Sequence, residues 1–145
     1  MEISTKYHDL IEVDEQDLWY FPNGVPGFVE EKKFVLYPLA NNEVFSILQS
    51  VSHREVAFIV TNPFVFFQDY DFTLDDNVIS LLELENRNDV LPLVILTLGD
   101  SLETSTANLQ APIILNMKNH QGKQVILHES PYRTKHILSS KVAQG

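Results

Sequence analysis

Short apolar segments alternate with turn signals at intervals of roughly ten residues along the chain, and such spacing favours an all-β sandwich or barrel. Proline and glycine fix turn geometries, so 22–27 is predicted as a turn. The hairpin connection predicted for 119–122 lies between the last two strands. The segments predicted as strands are 3–7, 18–21, 34–37, 44–51, 56–61, 93–98, 113–116 and 123–127.

One segment has the spacing of a helix instead. Val78, Leu81 and Leu82 fall at i, i+3 and i+4, which places them on one apolar face. Asp75 and Asp76 precede them, and acidic residues suit a helix N-terminus. We expect this helix to end near 85–86. An aromatic turn is expected separately over 64–67.

The composition is that of an ordinary globular protein: 145 residues, 44% hydrophobic and 21% charged. We expect one domain over 1–138 and a flexible tail over 139–145. The absence of cysteine excludes disulfide and thiolate chemistry and fits a reducing compartment. The N-terminus lacks the features of a signal peptide, and the longest apolar stretch, 91–98, is too short to cross a bilayer. We therefore expect a cytoplasmic protein without membrane association.

The formal net charge is −10. Residues 1–117 carry 19 acidic and 5 basic residues, whereas 118–145 carry 1 acidic and 5 basic residues. The acidic body would repel phosphate backbones, so direct nucleic-acid binding is not expected. A basic protein is the natural complement. Charge alone favours the simpler alternative that the acidic excess only aids solubility.

The four residues Gly99-Asp100-Ser101-Leu102 spell the signature of GDSL esterases and follow an apolar strand. In that family the serine lies near the chain start, and its histidine base follows an aspartate by three residues. Here Arg133 takes that place before His136, and a serine needs a positioned base to become a nucleophile. A turn after a strand explains the motif better, so no catalytic residue is expected, with a Ser101 hydrolase as a remote alternative.

Metal and cofactor sites are not expected either. The five histidines show no zinc-binding spacing, and no cysteine could complete a ligand set. We interpret them as ordinary surface residues; they are His8, His53, His120, His128 and His136. The chain has 5 glycines and no glycine-rich phosphate loop, which disfavours nucleotide binding.

The most informative segment is 55–86, which holds seven acidic residues and no lysine or arginine. It contains the aromatic run 64–72, in which rings could anchor a partner that the acids attract. The alternative is that most of the phenylalanines are core and the acids a solvated rim. We expect some of Asp69, Tyr70, Asp71, Asp75 and Asp76 to face a partner.

The order of several segments resembles FliW, the family of bacterial flagellar assembly factors. The resemblance runs from Ile3 to about His136, and the order and spacing of its pieces are specific. The matching pieces are FPNGVPGF (21–28), FSILQS (45–50), FIVTNP (58–63), DY (69–70), TANLQAPIILN (106–116) and GKQ (122–124).

This resemblance implies a β-barrel-like fold of short antiparallel strands with one or two short helices, and no enzymatic activity. It implies binding to CsrA, a small basic dimer that represses flagellin translation, away from its RNA-reading surface. It also implies binding to flagellin, so that free flagellin would release CsrA. A flagellin chaperone without a regulatory partner is the alternative. The protein is expected to be a monomer before binding.

The family's motif residues do not map onto its contact residues, so the partner-binding residues are inferred from acidity and expected exposure. They are Asp69, Tyr70, Asp71, Asp75, Asp76, Glu83 and Glu85.

Overall fold

The computed structural model describes residues 1–40, 42 and 44–138, so the predicted tail over 139–145 lies outside the described residues. Within that part, the chain is mostly sheet with one short α-helix, α1 (Asp76–Leu81). Single 3-10 turns occupy Glu15–Asp17, Pro63–Val65, Arg87–Asp89 and Leu102–Thr104. The strands are β1 (Glu2–Ser4), β2 (Leu10–Glu12), β3 (Trp19–Tyr20), β4 (Lys33–Pro38), β5 (Phe45–Ser50), β6 (Ala57–Thr61), β7 (Val90–Thr97), β8 (Thr106–Ala107), β9 (Ile113–Asn116), β10 (Gln121–Gln124) and β11 (His136–Ile137).

The main sheet closes on itself, which confirms the predicted β-barrel-like fold. Its strands follow the order β11-β8-β7-β6-β5-β4-β3-β10-β9, and β7 pairs with β9 to complete a ring. Strands β1 and β2 form a separate two-stranded sheet. The pairs are antiparallel except at one seam, where β10 runs parallel to β3 through the pair Gln121 and Tyr20. Closure leaves most of the ring strands with two neighbours, as expected for a barrel.

The central strands lie close to their predicted positions, while the shortest elements differ. Strands β4, β5, β6 and β9 agree with the sequence patterns to within a residue or two. Strand β10 spans Gln121–Gln124 instead of the predicted 123–127, so the hairpin connection predicted for 119–122 is wrong and the turn lies at 117–120. Strand β1 ends at Ser4, before the predicted alternation does. Strands β2, β8 and β11 were not predicted, because two or three residues are too few to show a period.

Two clusters of buried side chains form the core. Alternate residues of β9 face opposite sides: Ile113 and Leu115 pack with Phe21 and Phe34 inside the ring, and Ile114 packs with the cluster under α1. Both faces of β9 are therefore covered, which explains its continuous apolar sequence. Gly122 of β10 pairs with Leu115 of β9, and a Cβ at Gly122 would lie 2.6 Å from the Leu115 side chain. Only glycine therefore fits at this position.

One acidic residue is buried and not part of the solvated rim. Glu31 is buried, and its carboxylate accepts a hydrogen bond from the Ser50 hydroxyl and lies 2.7 Å from Nδ1 of His53. The Ser50 hydroxyl also accepts hydrogen bonds from the backbone N–H groups of Ser52 and His53. This buried polar cluster is satisfied on several sides, and it ties the loop after β5 to the turn before β4.

Candidate interaction surface

Helix α1 packs on the barrel core and lies within the acidic segment 55–86. Val78 and Leu82 are buried against the core, as the sequence spacing predicted. The helix ends earlier than predicted, because Glu83 has a φ of 56°, in the left-handed region. The N–H of Leu84 donates to the carbonyl of Ile79 at 2.9 Å, and that of Glu83 to Ser80 at 3.2 Å. This is the Schellman arrangement, which stops a helix by using the carbonyls of its last turn.

The end of α1 is attached to the barrel by amide side chains. Asn116 is buried at the end of β9, and its Nδ2 donates to the carbonyl of Leu82 at 2.8 Å. Nδ2 of Asn119 donates to the same carbonyl at 3.0 Å, and Oδ1 of Asn116 accepts from the N–H of Lys118 at 2.9 Å. The two bonds to Leu82 use a carbonyl that the helix end leaves free, so they fix the end of α1 on the barrel.

Aromatic rings support the segment that precedes α1. Tyr70 is only 4% exposed, and its hydroxyl donates to the carbonyl of Leu109 at 2.7 Å. Burial, and secondly the neighbouring Tyr132, raise the pKa of the Tyr70 phenol. The Tyr132 hydroxyl accepts the N–H of Asp71 at 2.9 Å. The exposure expected of Tyr70 is therefore wrong, because its ring and hydroxyl are used inside the protein.

An open groove of about 750 Å³ runs beside α1, and we call it the acidic groove. Apolar side chains form much of its lining, including Phe64 and Ile79, which are 42% and 37% exposed. Phe64 therefore lies at the surface and is an exception to the alternative that most phenylalanines of the aromatic run are core. Asp71 and Glu85 stand at the margin, with Arg87 as the groove's one basic residue among those described.

The structure brings some of the predicted site residues together and leaves others apart. Asp71 and Glu85 line the acidic groove, and Asp71 and Asp75 line a neighbouring cavity on the other side of the 71–75 segment. Glu85 lies 3.5 Å from the exposed Lys118 amine, an ion pair of small energetic weight. The remaining predicted acids are exposed but line neither cavity; they are Asp69, Asp76 and Glu83.

Asn116 is a positioning residue that the sequence analysis did not identify. The signal was present, because Asn116 is a polar residue that directly follows the buried apolar run 113–115. A buried amide at the end of such a strand must find hydrogen-bond partners, and here it finds them on α1.

The Gly99–Leu102 motif forms the turn that the sequence analysis favoured. Ser101 precedes the 3-10 turn Leu102–Thr104, and its N–H donates to Oγ1 of Thr104 at 3.1 Å in a capping box. A Cβ on Gly99 would lie 2.3 Å from that same Oγ1, which accounts for the glycine. Nε2 of His136 accepts the N–H of Arg133 at 2.9 Å, so that nitrogen is engaged away from Ser101.

Two of the five histidines, His53 and His128, are exposed as predicted, whereas His8, His120 and His136 are half-buried. His120 stacks on Trp19 with ring centroids 4.1 Å apart, and His8 meets Tyr37 edge-on at 5.3 Å. Within residues 1–40, 42 and 44–138, no group of three or more histidine, aspartate or glutamate side chains could hold a metal ion. The same residues contain no helix of the length and apolarity needed to cross a membrane.

A solved structure shows which class of protein has this fold. A crystal structure of the flagellar assembly factor FliW superposes with a TM-score of 0.91 at 46% identity, covering 95% of this chain and 96% of that one. The fold is thus that of a flagellar assembly factor, a class named for assembly and not for catalysis.

The sequence comparisons agree. The model of the FliW protein family matches residues 2–138. The flagellar assembly factor FliW of Bacillus pumilus is 51% identical over 95% of this chain and 96% of its own length. The Bacillus subtilis protein of that name is 49% identical over 97% and 99%, and the Clostridium novyi one 47% over 95% and 96%. The chain belongs to the FliW family, which confirms the resemblance seen in its sequence.

Proposed function

We propose that this flagellar assembly factor acts as a protein antagonist of CsrA and that the acidic groove beside α1 is part of the CsrA-binding surface. CsrA binding here would lower the RNA affinity of CsrA allosterically and relieve repression of flagellin translation. The observation that supports this most directly is the groove itself, in which an apolar lining with exposed Phe64 and Ile79 is bordered by carboxylates.

The carboxylates and the apolar side chains of this surface act at different stages of binding. Exposed carboxylates at Asp71, Asp75 and Asp76 attract a basic partner and speed its encounter, an effect that salt screens. Exposed apolar side chains contribute affinity when they are buried by the partner. The groove is attached rigidly through Asn116 and Tyr70, so little ordering is needed on binding.

Flagellin is proposed as the second partner. If flagellin and CsrA oppose each other on this protein, linkage requires that each lowers the affinity of the other by the same factor. Free flagellin would then release CsrA, which would repress further flagellin translation.

Calorimetric titration with purified CsrA, before and after preloading this protein with flagellin, tests the proposal. We expect saturable binding of CsrA that preloading weakens. Flagellin binding without any CsrA binding, confirmed by the absence of co-elution, would contradict the antagonist function and leave the alternative of a flagellin chaperone. A generic acyl ester assay with a Ser101→Ala control covers the remaining hydrolase alternative, for which we expect no turnover.

A further inference from the structure

A second groove, distant in sequence from α1, lies between β2 and β4. Its volume is about 900 Å³, within the range of protein ligand sites. Ile11, Val13 and Val35 contribute apolar side chains to its lining, and Trp19 stacked on His120 also contributes to it.

One wall of this groove is an unpaired strand edge. The N–H of Val51 donates to the carbonyl of Lys33, and the N–H of Leu39 donates to Phe45, both at 3.0 Å. In an antiparallel ladder such bonds recur at every second residue, so the odd-numbered residues of β4 bond to β5. The N–H and carbonyl of Leu36 therefore point to the opposite edge.

Strand β3 covers only the beginning of that edge. It pairs with β4 at Lys33 and Phe34, and the chain before Trp19 forms the 3-10 turn Glu15–Asp17. Among the described residues, no strand pairs with β4 beyond Phe34 on this side. Pro38 lies two residues after Leu36 on the same edge, and proline is tolerated in strands where the N–H needs no partner.

The opposite wall, formed by β2, also leaves backbone groups unpaired. In β2, Ile11 pairs with Ile3, and the N–H of Val13 donates to the carbonyl of Met1 at 2.8 Å. The backbone of Glu12 therefore points away from β1. A segment lying in the groove would thus pass between two strands that each leave backbone groups free.

The charges around the groove define the kind of segment that fits. Glu12, Asp14 and Asp17 are exposed in its lining, and neither Asp14 nor Asp17 forms an ion pair with a described residue. No lysine or arginine in the described part of the chain lines the groove, and the Met1 ammonium at its margin is engaged by the Val13 carbonyl and Glu12. Because side chains alternate along a strand, an extended segment would place apolar residues on the groove floor and basic residues at its carboxylates.

We propose that this groove binds an extended segment of a partner protein, with alternating apolar and basic residues, by strand addition to the free edge of β4 at Leu36. Main-chain hydrogen bonds to Leu36 give such a complex its register, and the carboxylates give it a preference for lysine or arginine. The surface is separate from the acidic groove, and its occupancy does not depend on CsrA.

The test uses an eight-residue peptide of alternating valine and arginine with blocked ends, at 150 mM salt. The chain has one tryptophan, Trp19, whose fluorescence reports directly on this groove. We expect a saturable fluorescence change and slower hydrogen exchange at the Leu36 amide. The same peptide with proline in place of a central valine keeps its charge but lacks an N–H, and should bind about tenfold more weakly.

A matched pair of variants locates the binding. Asp14→Lys with Asp17→Lys should weaken binding about tenfold, whereas Asp100→Lys with Glu103→Lys, an equal charge change on exposed residues elsewhere, should leave it nearly unchanged. Circular dichroism checks that both variants fold. The proposal is overturned if the peptide does not bind, if the proline peptide binds equally well, if Leu36 exchange is unaffected, or if both variants weaken binding alike.

Discussion

Glu83 ends α1 in a backbone conformation that glycine adopts more easily. Its φ of 56° lies in the left-handed region, which costs a residue with a Cβ roughly 1–2 kcal/mol. Glycine avoids that cost but loses roughly 0.5–1 kcal/mol through the greater freedom of the unfolded chain. The Schellman hydrogen bonds are made by the backbone, so Glu83→Gly keeps them. We expect this variant to gain about 0.5–1 kcal/mol in free energy of unfolding.

Urea denaturation measures this gain. The midpoint should rise while the slope stays constant, and the melting temperature should rise by about 1–3 °C for a chain of this size. Glu83→Gln is the matched control, because it removes the charge and retains the Cβ, and it should show no such rise. An unchanged or lower midpoint for Glu83→Gly would refute the argument that this position is strained.

The same variant separates stability from binding. If Glu83 contributes its charge to the CsrA surface, Glu83→Gly and Glu83→Gln should weaken CsrA binding equally, although only the first is stabilised. Strain kept at a binding surface is the pattern expected where function and stability conflict. Full CsrA affinity in both variants would remove Glu83 from the proposed surface.

Three further predictions concern the supports of the site and its pH dependence. Asn116→Ala should lower the free energy of unfolding by about 1–3 kcal/mol, because it removes a buried bond to the Leu82 carbonyl, which keeps only Asn119, and takes the acceptor from the N–H of Lys118. It should also weaken CsrA binding; wild-type values in urea and calorimetric titrations would contradict this. Tyr70→Phe should cost about 1–2 kcal/mol, measured in urea, through the lost bond to Leu109, and a neutral result would show that this bond contributes little. Burial, and secondly a basic neighbour, lower the pKa of His136, so its stabilising contribution is complete above its unfolded pKa of about 6.5 and is lost as pH falls through the folded value. The urea midpoint should therefore fall more between pH 7.5 and 5 for the wild type than for His136→Gln. Equal falls would show that His136 does not cause this loss of stability.

The central strands could be predicted from sequence because their signals are local. Strands β4, β5 and β6 show β-branched and aromatic residues bounded by turn residues, and each pairs with its neighbour in the chain. Barrel closure could not be predicted in this way. It depends on one parallel contact between Gln121 and Tyr20 and on the pairing of β7 with β9, which no local pattern specifies.

The acidic surface was predicted in part. Exposure of Asp71, Asp75 and Glu85 follows from charge, because carboxylates are rarely buried without partners. The roles of the aromatic residues within 64–72 were not separable by sequence, since Tyr70 is buried and Phe64 is exposed although both lie in one continuous run. The end of α1 was placed too late because a glutamate in the left-handed conformation carries no sequence signal, unlike glycine.

The most direct test of the proposed CsrA surface is a calorimetric comparison of two triple variants with the wild type at low and physiological salt. Asp71→Lys, Asp75→Lys and Asp76→Lys together should weaken CsrA binding about tenfold or more and reduce its salt dependence. The control changes three exposed acids away from the groove by the same charge: Glu30→Lys, Asp100→Lys and Glu103→Lys. It should keep near wild-type affinity. Unchanged affinity in the folded first variant, or equal loss in both, would contradict the assignment of CsrA to the acidic 71–76 segment, which borders the acidic groove at Asp71.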